Sequence, residues 1–218
     1  MDNETYLNVI QLLDKKKQER IHRFHKWQDK YRAIISELLT RMLVMKTLKI
    51  QNSKINFSIS EFGKPQLINY PNFHFNTSHS GDWVVCAIHT QEIGVDVEQV
   101  LKIDYTEFKD VFLADEYLNI LNHSAPHDLF FEYWTLKESL VKCIGQGLNM
   151  PLNSFGLKFK KDSPVLVNSK DKPIRGFFFK QYFLNPDYKI AVCSKSQDFP
   201  EKITCYTLQD ILNYYKTL

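Results

Sequence analysis

Long hydrophobic runs are missing from this sequence: stretches such as Trp83 to Ile88 fall far short of the roughly 20 apolar residues a membrane-spanning helix needs. The opening Met1-Asp2-Asn3-Glu4 has neither the basic start nor the apolar core of a secretory leader. A soluble, cytoplasmic protein with no membrane partner is therefore expected. Cysteine is scarce as well. Cys86, Cys143, Cys193 and Cys205 show no C-x-x-C spacing, and three of them lie inside apolar strand-like runs, which predicts buried reduced thiols and excludes a zinc knuckle or a disulfide scaffold. Charge of one sign is lacking too, since 28 Lys+Arg against 25 Asp+Glu leave a formal net charge of only +3. That is too little for a nucleic-acid coat, so no nucleic-acid partner is expected. One local exception is the crowding of Lys15, Lys16, Lys17, Arg20, Arg23, Lys26 and Lys30 in an early helical segment, which reads either as a solvated face or as an anion site.

What is present is enough apolar material for a packed core: 44% hydrophobic and 14% aromatic residues in a chain of 218. The spacing of Ile34, Ile35, Leu38, Leu39, Met42, Leu43 and Met45 predicts a helix from about Asp14 to Leu48. Strands are expected at Ile55 to Ser60, Phe73 to Thr77, Trp83 to His89 and Ile93 to Glu98, separated by Gly63-Lys64-Pro65, Tyr70-Pro71-Asn72 and Ser80-Gly81-Asp82 turns. The order then repeats. Helices at about Thr106 to Asn122 and His127 to Gly145 precede strand patterns at Phe155 to Lys160, Ile174 to Leu184, Tyr188 to Ser194 and Ile203 to Tyr206. Even the texture recurs, Trp83-Val84-Val85-Cys86-Ala87-Ile88 being answered by Tyr188-Lys189-Ile190-Ala191-Val192-Cys193. The expected fold class is α+β, with two similar α/β subdomains, 1–102 and 103–218, forming an internal pseudo-dimer with a site at their junction.

Chemistry is concentrated in two short segments. In Ile93-Gly94-Val95-Asp96-Val97-Glu98 a strand would turn Asp96 and Glu98 to one face and Val95 and Val97 to the other. In Trp134-Thr135-Leu136-Lys137-Glu138-Ser139-Leu140-Val141-Lys142 a helix would place Thr135, Glu138 and Lys142 on one stripe. Three carboxylates from two elements suit Mg²⁺, a hard cation held by a few acids together with water and substrate phosphate. Glu138 with Lys142 is equally an ordinary i, i+4 ion pair, so these residues alone leave a solvated surface open.

Two upstream blocks extend the pattern, Phe62-Gly63-Lys64-Pro65 and Phe75-Asn76-Thr77-Ser78-His79-Ser80-Gly81-Asp82-Trp83, and the early basic helix carries Arg23-Phe24 followed by Asp29 and Arg32. With Glu138 placed 42 residues after Asp96, the chain resembles the surfactin-type (Sfp-like) 4'-phosphopantetheinyl transferases from about residue 14 to residue 195. The resemblance implies an enzyme, a holo-acyl-carrier-protein synthase that moves the phosphopantetheine arm of coenzyme A onto a serine of an apo acyl or peptidyl carrier protein and releases adenosine 3',5'-bisphosphate. It implies a role in nonribosomal peptide or polyketide biosynthesis and, from the length, a monomer.

The same resemblance implies roles for single residues. Asp96, Glu98 and Glu138 would bind Mg²⁺, and Lys142 would face the diphosphate. Glu138 would double as the base, with Glu116 as the alternative. Lys17, Arg20, Lys64, Ser78 and His79 would bind coenzyme A, while Ala33 replaces a hydroxyl residue of the relatives. The apolar stretch Phe108, Val111, Phe112, Leu113, Tyr117, Leu118 and Leu121 reads as core packing, part of which could receive the carrier helix. Two rival readings of the same residues are a Mg²⁺-dependent phosphoesterase acting on coenzyme A-like substrates and a non-catalytic RNA-binding protein using Lys15 to Lys30.

Overall fold

The structure, a computed structural model, describes residues 3–160 and 163–216. Its contacts gather into two compact units, Met1–Asn56 with Thr204–Leu218, and Phe57–Ile203.

The first unit is helical: α1 (Asn3–Ile10), α2 (Lys15–His22), α3 (Trp27–Leu48) and α6 (Leu208–Lys216). The single early helix expected from the sequence is two. Asp14 caps α2 by accepting from the Lys17 amide at 2.9 Å, and the chain turns after His22. That turn lets one ring gather both sides of the break, Tyr6 packing edge-on against His22 at the end of α2 and against Trp27 at the start of α3. The α3 stripe Ile34, Leu38, Met42 and Met45 is buried at helical spacing. Glu37 and Arg41 are buried beside it, paired at 2.7 Å, and Lys17 holds the other Glu37 oxygen at 2.6 Å.

Instead of the expected strand at Ile203 to Tyr206, the chain stays irregular and then enters α6. Thr207 and Asp210 start that helix reciprocally, the Asp210 amide donating to Thr207 Oγ1 at 3.1 Å and the Thr207 amide to Asp210 Oδ2 at 2.7 Å. The helix docks through the half-buried Tyr215, whose hydroxyl donates to Leu38 O at 3.1 Å.

The second unit is α+β and contains every strand among the described residues. The hairpins are β1 (Phe57–Ile59) with β2 (Pro65–Leu67), β3 (His74–Ser80) with β4 (Trp83–His89), and β6 (Phe155–Lys160) with β7 (Ser163–Asn168). A three-stranded antiparallel sheet runs β5 (Ile93–Gln99), β9 (Tyr188–Ser194), β8 (Phe178–Tyr182). Two helices, α4 (Ala114–Asn122) and α5 (Pro126–Ile144), complete it.

The two faces of β5 have different neighbours. Ile93, Val95 and Val97 join Tyr188, Ile190 and Val192 in one core, packed against Trp83, Val85 and Ala87. A larger core forms around α5, from Phe112, Phe130, Phe131, Leu136, Leu140, Phe155 and Leu157. The helix expected from Thr106 begins as a 3-10 turn over Tyr105–Val111 and restarts as α4, because Glu116 reaches back to the Leu113 amide at 2.9 Å and fixes a new N-terminus there.

These units are cut at other places than the halves 1–102 and 103–218, because β5 pairs along its whole length with β9. The halves describe a repeat, which compactness does not address. None of the four cysteines forms a disulfide: Cys143 and Cys193 are buried and Cys86 half-buried, while Cys205, expected in a buried strand at Ile203 to Tyr206, is exposed in irregular chain. No helix among the described residues is long and apolar enough to cross a membrane.

His74 stands opposite His89 in the β3–β4 ladder, and burial, with Lys64 adding to it, holds its imidazole below the ordinary histidine range. The folded state therefore favours neutral His74, and the unfolded chain binds more protons as the pH falls below about 6.5. Stability contributed by the neutral ring is complete above that value and is lost on acidification toward the lowered folded value. In urea titrations between pH 7 and pH 5, His74→Gln should lose less stability than the unmodified protein; equal slopes would contradict this account.

Candidate active site

Strand alternation builds the first wall of the site. Asp96 and Glu98 share the β5 face that the apolar residues do not use, and Asp96 is 2% exposed. The β3 hairpin meets this strand through side chains spaced two apart. Asn76 Oδ1 accepts from the Val95 amide at 2.9 Å, Ser78 Oγ donates to Asp96 Oδ1 at 2.8 Å, and Ser80 Oγ donates to Glu98 Oε2 at 2.7 Å while accepting from the Gln99 amide at 3.1 Å.

Helix α5 is the second wall. It begins with Pro126 in its first turn and ends at Gly145, whose φ of +80° suits a left-handed cap and whose amide returns to Val141 O at 2.8 Å. The helix backbone lies directly on β5 at Gly94, where a Cβ would stand 2.1 Å from Ser139 O and 2.3 Å from the Cys143 nitrogen. No side chain fits in that space. The approach brings Lys142 Nζ to 2.5 Å from Asp96 Oδ1 and 3.0 Å from Ser78 Oγ.

Electrostatics set these groups apart from a solvated cluster. Burial pushes the Asp96 carboxyl up, against the pull of Lys142 and Ser78. Glu98 is raised by burial and by its neighbours Asp96 and Glu138, against Ser80; Glu138 is raised by burial and by Asp96, against Lys142. The three acids thus repel one another in a poorly hydrated place, and one lysine compensates them only in part.

Asp96 Oδ2 is buried with no hydrogen-bond partner. An orphaned carboxylate oxygen amid raised acids is the donor chemistry a hard divalent cation satisfies, so the residues fit Mg²⁺. As placed, they are not gathered into a ligating group: among the described residues no three acid, histidine or cysteine side chains stand together as a ready metal cluster.

The structure thus assembles Asp96, Glu98, Glu138, Lys142 and Ser78, with Thr135 turned back to bond Phe131 O at 2.9 Å. Other residues singled out from the sequence stand elsewhere. His79 is exposed on the β3 face opposite Ser78. Lys64 donates to Ile93 O at 3.0 Å and Cys143 O at 2.9 Å, so its ammonium is engaged by backbone carbonyls. Lys17 and Arg20 lie on α2 in the first unit, Lys17 bound to Glu37 and Arg20 exposed.

Glu116, the alternative base, has structural partners for both oxygens. It is buried, pairs with Lys137 at 2.8 Å, and accepts from the Leu113 and Leu157 amides at 2.9 and 2.7 Å, so its oxygens are committed to the fold. Of the apolar stretch, Phe108, Val111, Phe112 and Tyr117 pack into the core, while Leu118 and Leu121 are exposed. Sequence reasoning missed Asn76, Ser80 and Gly94. The period-two N-x-S-x-S facing D-x-E, and a glycine inside a strand pattern, were the signals for them.

Comparison with known proteins identifies the family. A model described as 4'-phosphopantetheinyl transferase, N-terminal, matches residues 2–91, and one described as 4'-phosphopantetheinyl transferase superfamily matches residues 92–193. The 4'-phosphopantetheinyl transferase Sfp of Bacillus subtilis is 35% identical over 213 residues, covering 97% of this chain and 93% of its own. The chain belongs to the 4'-phosphopantetheinyl transferase superfamily. The gsp transferase of Aneurinibacillus migulanus is 32% identical across 99% of this chain and 90% of its own. A more distant relative, the L-aminoadipate-semialdehyde dehydrogenase-phosphopantetheinyl transferase of Mus musculus, is 28% identical across 88% of this chain and 70% of its own. The phosphopantetheinyl transferase match at residue 92 begins just before β5, so in this member of the family the acids Asp96, Glu98 and Glu138 all fall within the second matched segment.

Two substitutions probe how the walls are held. Gly94→Ala must drive α5 and β5 apart, and transferase activity should fall by at least roughly a hundredfold while the protein remains folded by circular dichroism; near-normal activity would show that the close approach is dispensable. Glu116→Gln should cost about 3–5 kcal/mol in denaturant titrations, because it strands the Lys137 charge inside the core. A stable Glu116→Gln protein with lost activity would instead return Glu116 to the chemistry.

Proposed function

We propose that this chain transfers the 4'-phosphopantetheine arm of coenzyme A to a serine hydroxyl of an apo acyl or peptidyl carrier protein. The serine Oγ forms a bond to the phosphorus that bears the pantetheine, and the phosphoanhydride bond to the adenosine side breaks, releasing adenosine 3',5'-bisphosphate. The observation that supports this most strongly is the orphaned Asp96 Oδ2 among three acids raised by burial, with Lys142 bridging Asp96 and Ser78.

Asp96, Glu98 and Glu138 would hold Mg²⁺, which when bound supplies charge neutralisation for a diphosphate. Phosphoryl-type transfer asks the protein mainly for placement and charge stabilisation. Lys142 gives a cation to the diphosphate oxygens, and Ser78 aligns Lys142 and Asp96 by bonding both. Glu138 accepts the serine proton. It shares an α5 stripe with Lys142, which places an acceptor beside the cation that faces the diphosphate.

Lys17, Arg20 and His79 are assigned to the coenzyme A phosphates, Lys17 by giving up Glu37. The internal pseudo-dimer of 1–102 and 103–218, a monomeric state, a cytoplasmic setting and service to nonribosomal peptide or polyketide assembly belong to the same proposal.

The decisive experiment incubates several purified apo carrier proteins with this protein, coenzyme A and Mg²⁺ and reads the carriers by mass spectrometry. A phosphopantetheine mass gain is expected, abolished by EDTA and slowed at least about a hundredfold by Asp96→Ala. If no carrier gains mass and Asp96→Ala leaves metal and coenzyme A binding unchanged, the proposal fails.

A further inference from the structure

A lysine in the turn between β1 and β2 reaches both walls of the site. The turn fixes it firmly: Gly63 has a φ of +87° and donates to Ser60 O at 3.0 Å, the Lys64 amide donates to Ser60 Oγ at 3.0 Å, and the Ser60 amide donates to Lys64 O at 2.9 Å. The Lys64 stem then passes over Gly145, where a Cβ would lie 2.9 Å from Lys64 Cδ, so the glycine that ends α5 also makes room for the lysine. Beyond it, the ammonium donates to Cys143 O at 2.9 Å and to Ile93 O at 3.0 Å.

Those two carbonyls occupy informative places. Cys143 lies in the last turn of α5, where carbonyls have no intrahelical donor and a cation is favoured by the helix dipole, and it directly follows Lys142. Ile93 is the first residue of β5, three before Asp96. Burial lowers the Lys64 ammonium below the ordinary lysine range, as expected for a charge held largely by carbonyl dipoles.

We propose that Lys64 is a positioning residue whose ammonium brackets Cys143 O and Ile93 O, fixing the spacing between Glu138 and Lys142 on α5 and Asp96 and Glu98 on β5, rather than a ligand of substrate phosphate. Gly94 sets how near the helix comes to the strand. Lys64 sets where along the strand it stops. Swinging the ammonium to a phosphate would give up both carbonyl bonds and release the end of α5 just where Lys142 projects. The kinetic consequences rest on the transferase reading, but the bracket itself does not.

Lys64→Met and Lys64→Arg in the full chain separate the roles, read by transfer kinetics and by hydrogen exchange of segments covering 91–97 and 139–147. For Lys64→Met the bracket predicts a kcat lower by roughly 10- to 100-fold, a KM for coenzyme A within about 3-fold of normal, and faster exchange in both segments. Lys64→Arg, which keeps a cation with several donors, should recover most of the kcat and the protection. A rise of roughly tenfold or more in KM with kcat and exchange unchanged would overturn the proposal in favour of a phosphate contact. So would a lower melting temperature as the sole change. Should Lys64→Met not fold, the same readouts are taken on Lys64→Gln. If the unmodified protein modifies no carrier, the transferase reading fails, and the exchange comparison still decides the bracket.

Discussion

The closeness of α5 to β5 is the constraint on which the site depends. Because residue 94 has no side chain, helix backbone and strand backbone touch, and acids from two elements come within one another's field. Had residue 94 carried a methyl group, Glu138 and Lys142 would stand back from Asp96. Close packing is also what makes the acids uncomfortable, since it removes the water that would screen their repulsion. The fold thus holds, through dispersion and apolar burial elsewhere, a set of charges that do not balance among themselves. Substrate phosphate and a divalent cation arrive where the protein has left charge unresolved.

Helix α5 carries a second charge system beside the first. Lys137 and Glu138 are successive residues, about a quarter-turn apart on the helix. Lys137 is fully buried and bonds Glu116, Leu152 O at 2.9 Å and Phe155 O at 2.7 Å. It joins the helix to the entrance of α4 and to the start of β6, and so fixes the rotation of α5 about its axis. That rotation decides that Glu138 and Lys142 look toward β5. A buried pair of this kind contributes little net stability compared with apolar residues of the same volume, but losing one member is costly.

The strands with continuous β-branched or aromatic patterns were legible: Trp83–His89, Phe155–Lys160 and Tyr188–Ser194 fall where periodicity put them. Short strands were not: Pro65–Leu67 continues a Gly63-Lys64-Pro65 turn signal, and Ser163–Asn168 offers only Val165-Leu166-Val167, too short a run to set a period. Helix α1 gave too few turns for a period, and α6 was hidden behind an apolar run, though its Thr207 and Asp210 cap was readable. At the site, Asp96, Glu98 and Lys142 were legible because strand and helix spacings dictate shared faces. The work of Lys64 and Glu116 was not, since spacing says that a charge exists and nothing about whether carbonyls and amides already claim it.

The side chains of β3 have a further consequence for β5. That strand ends its sheet, with β9 on one side only, and a bare strand edge is a template for any other extended chain. Here two amides of the strand are already taken by β3 side chains, Val95 by Asn76 and Gln99 by Ser80. The groups that arrange the acids therefore also keep the molecule from adding foreign strands to itself. Solubility and chemistry draw on the same few hydrogen bonds, so a change made to tune one will be felt in the other.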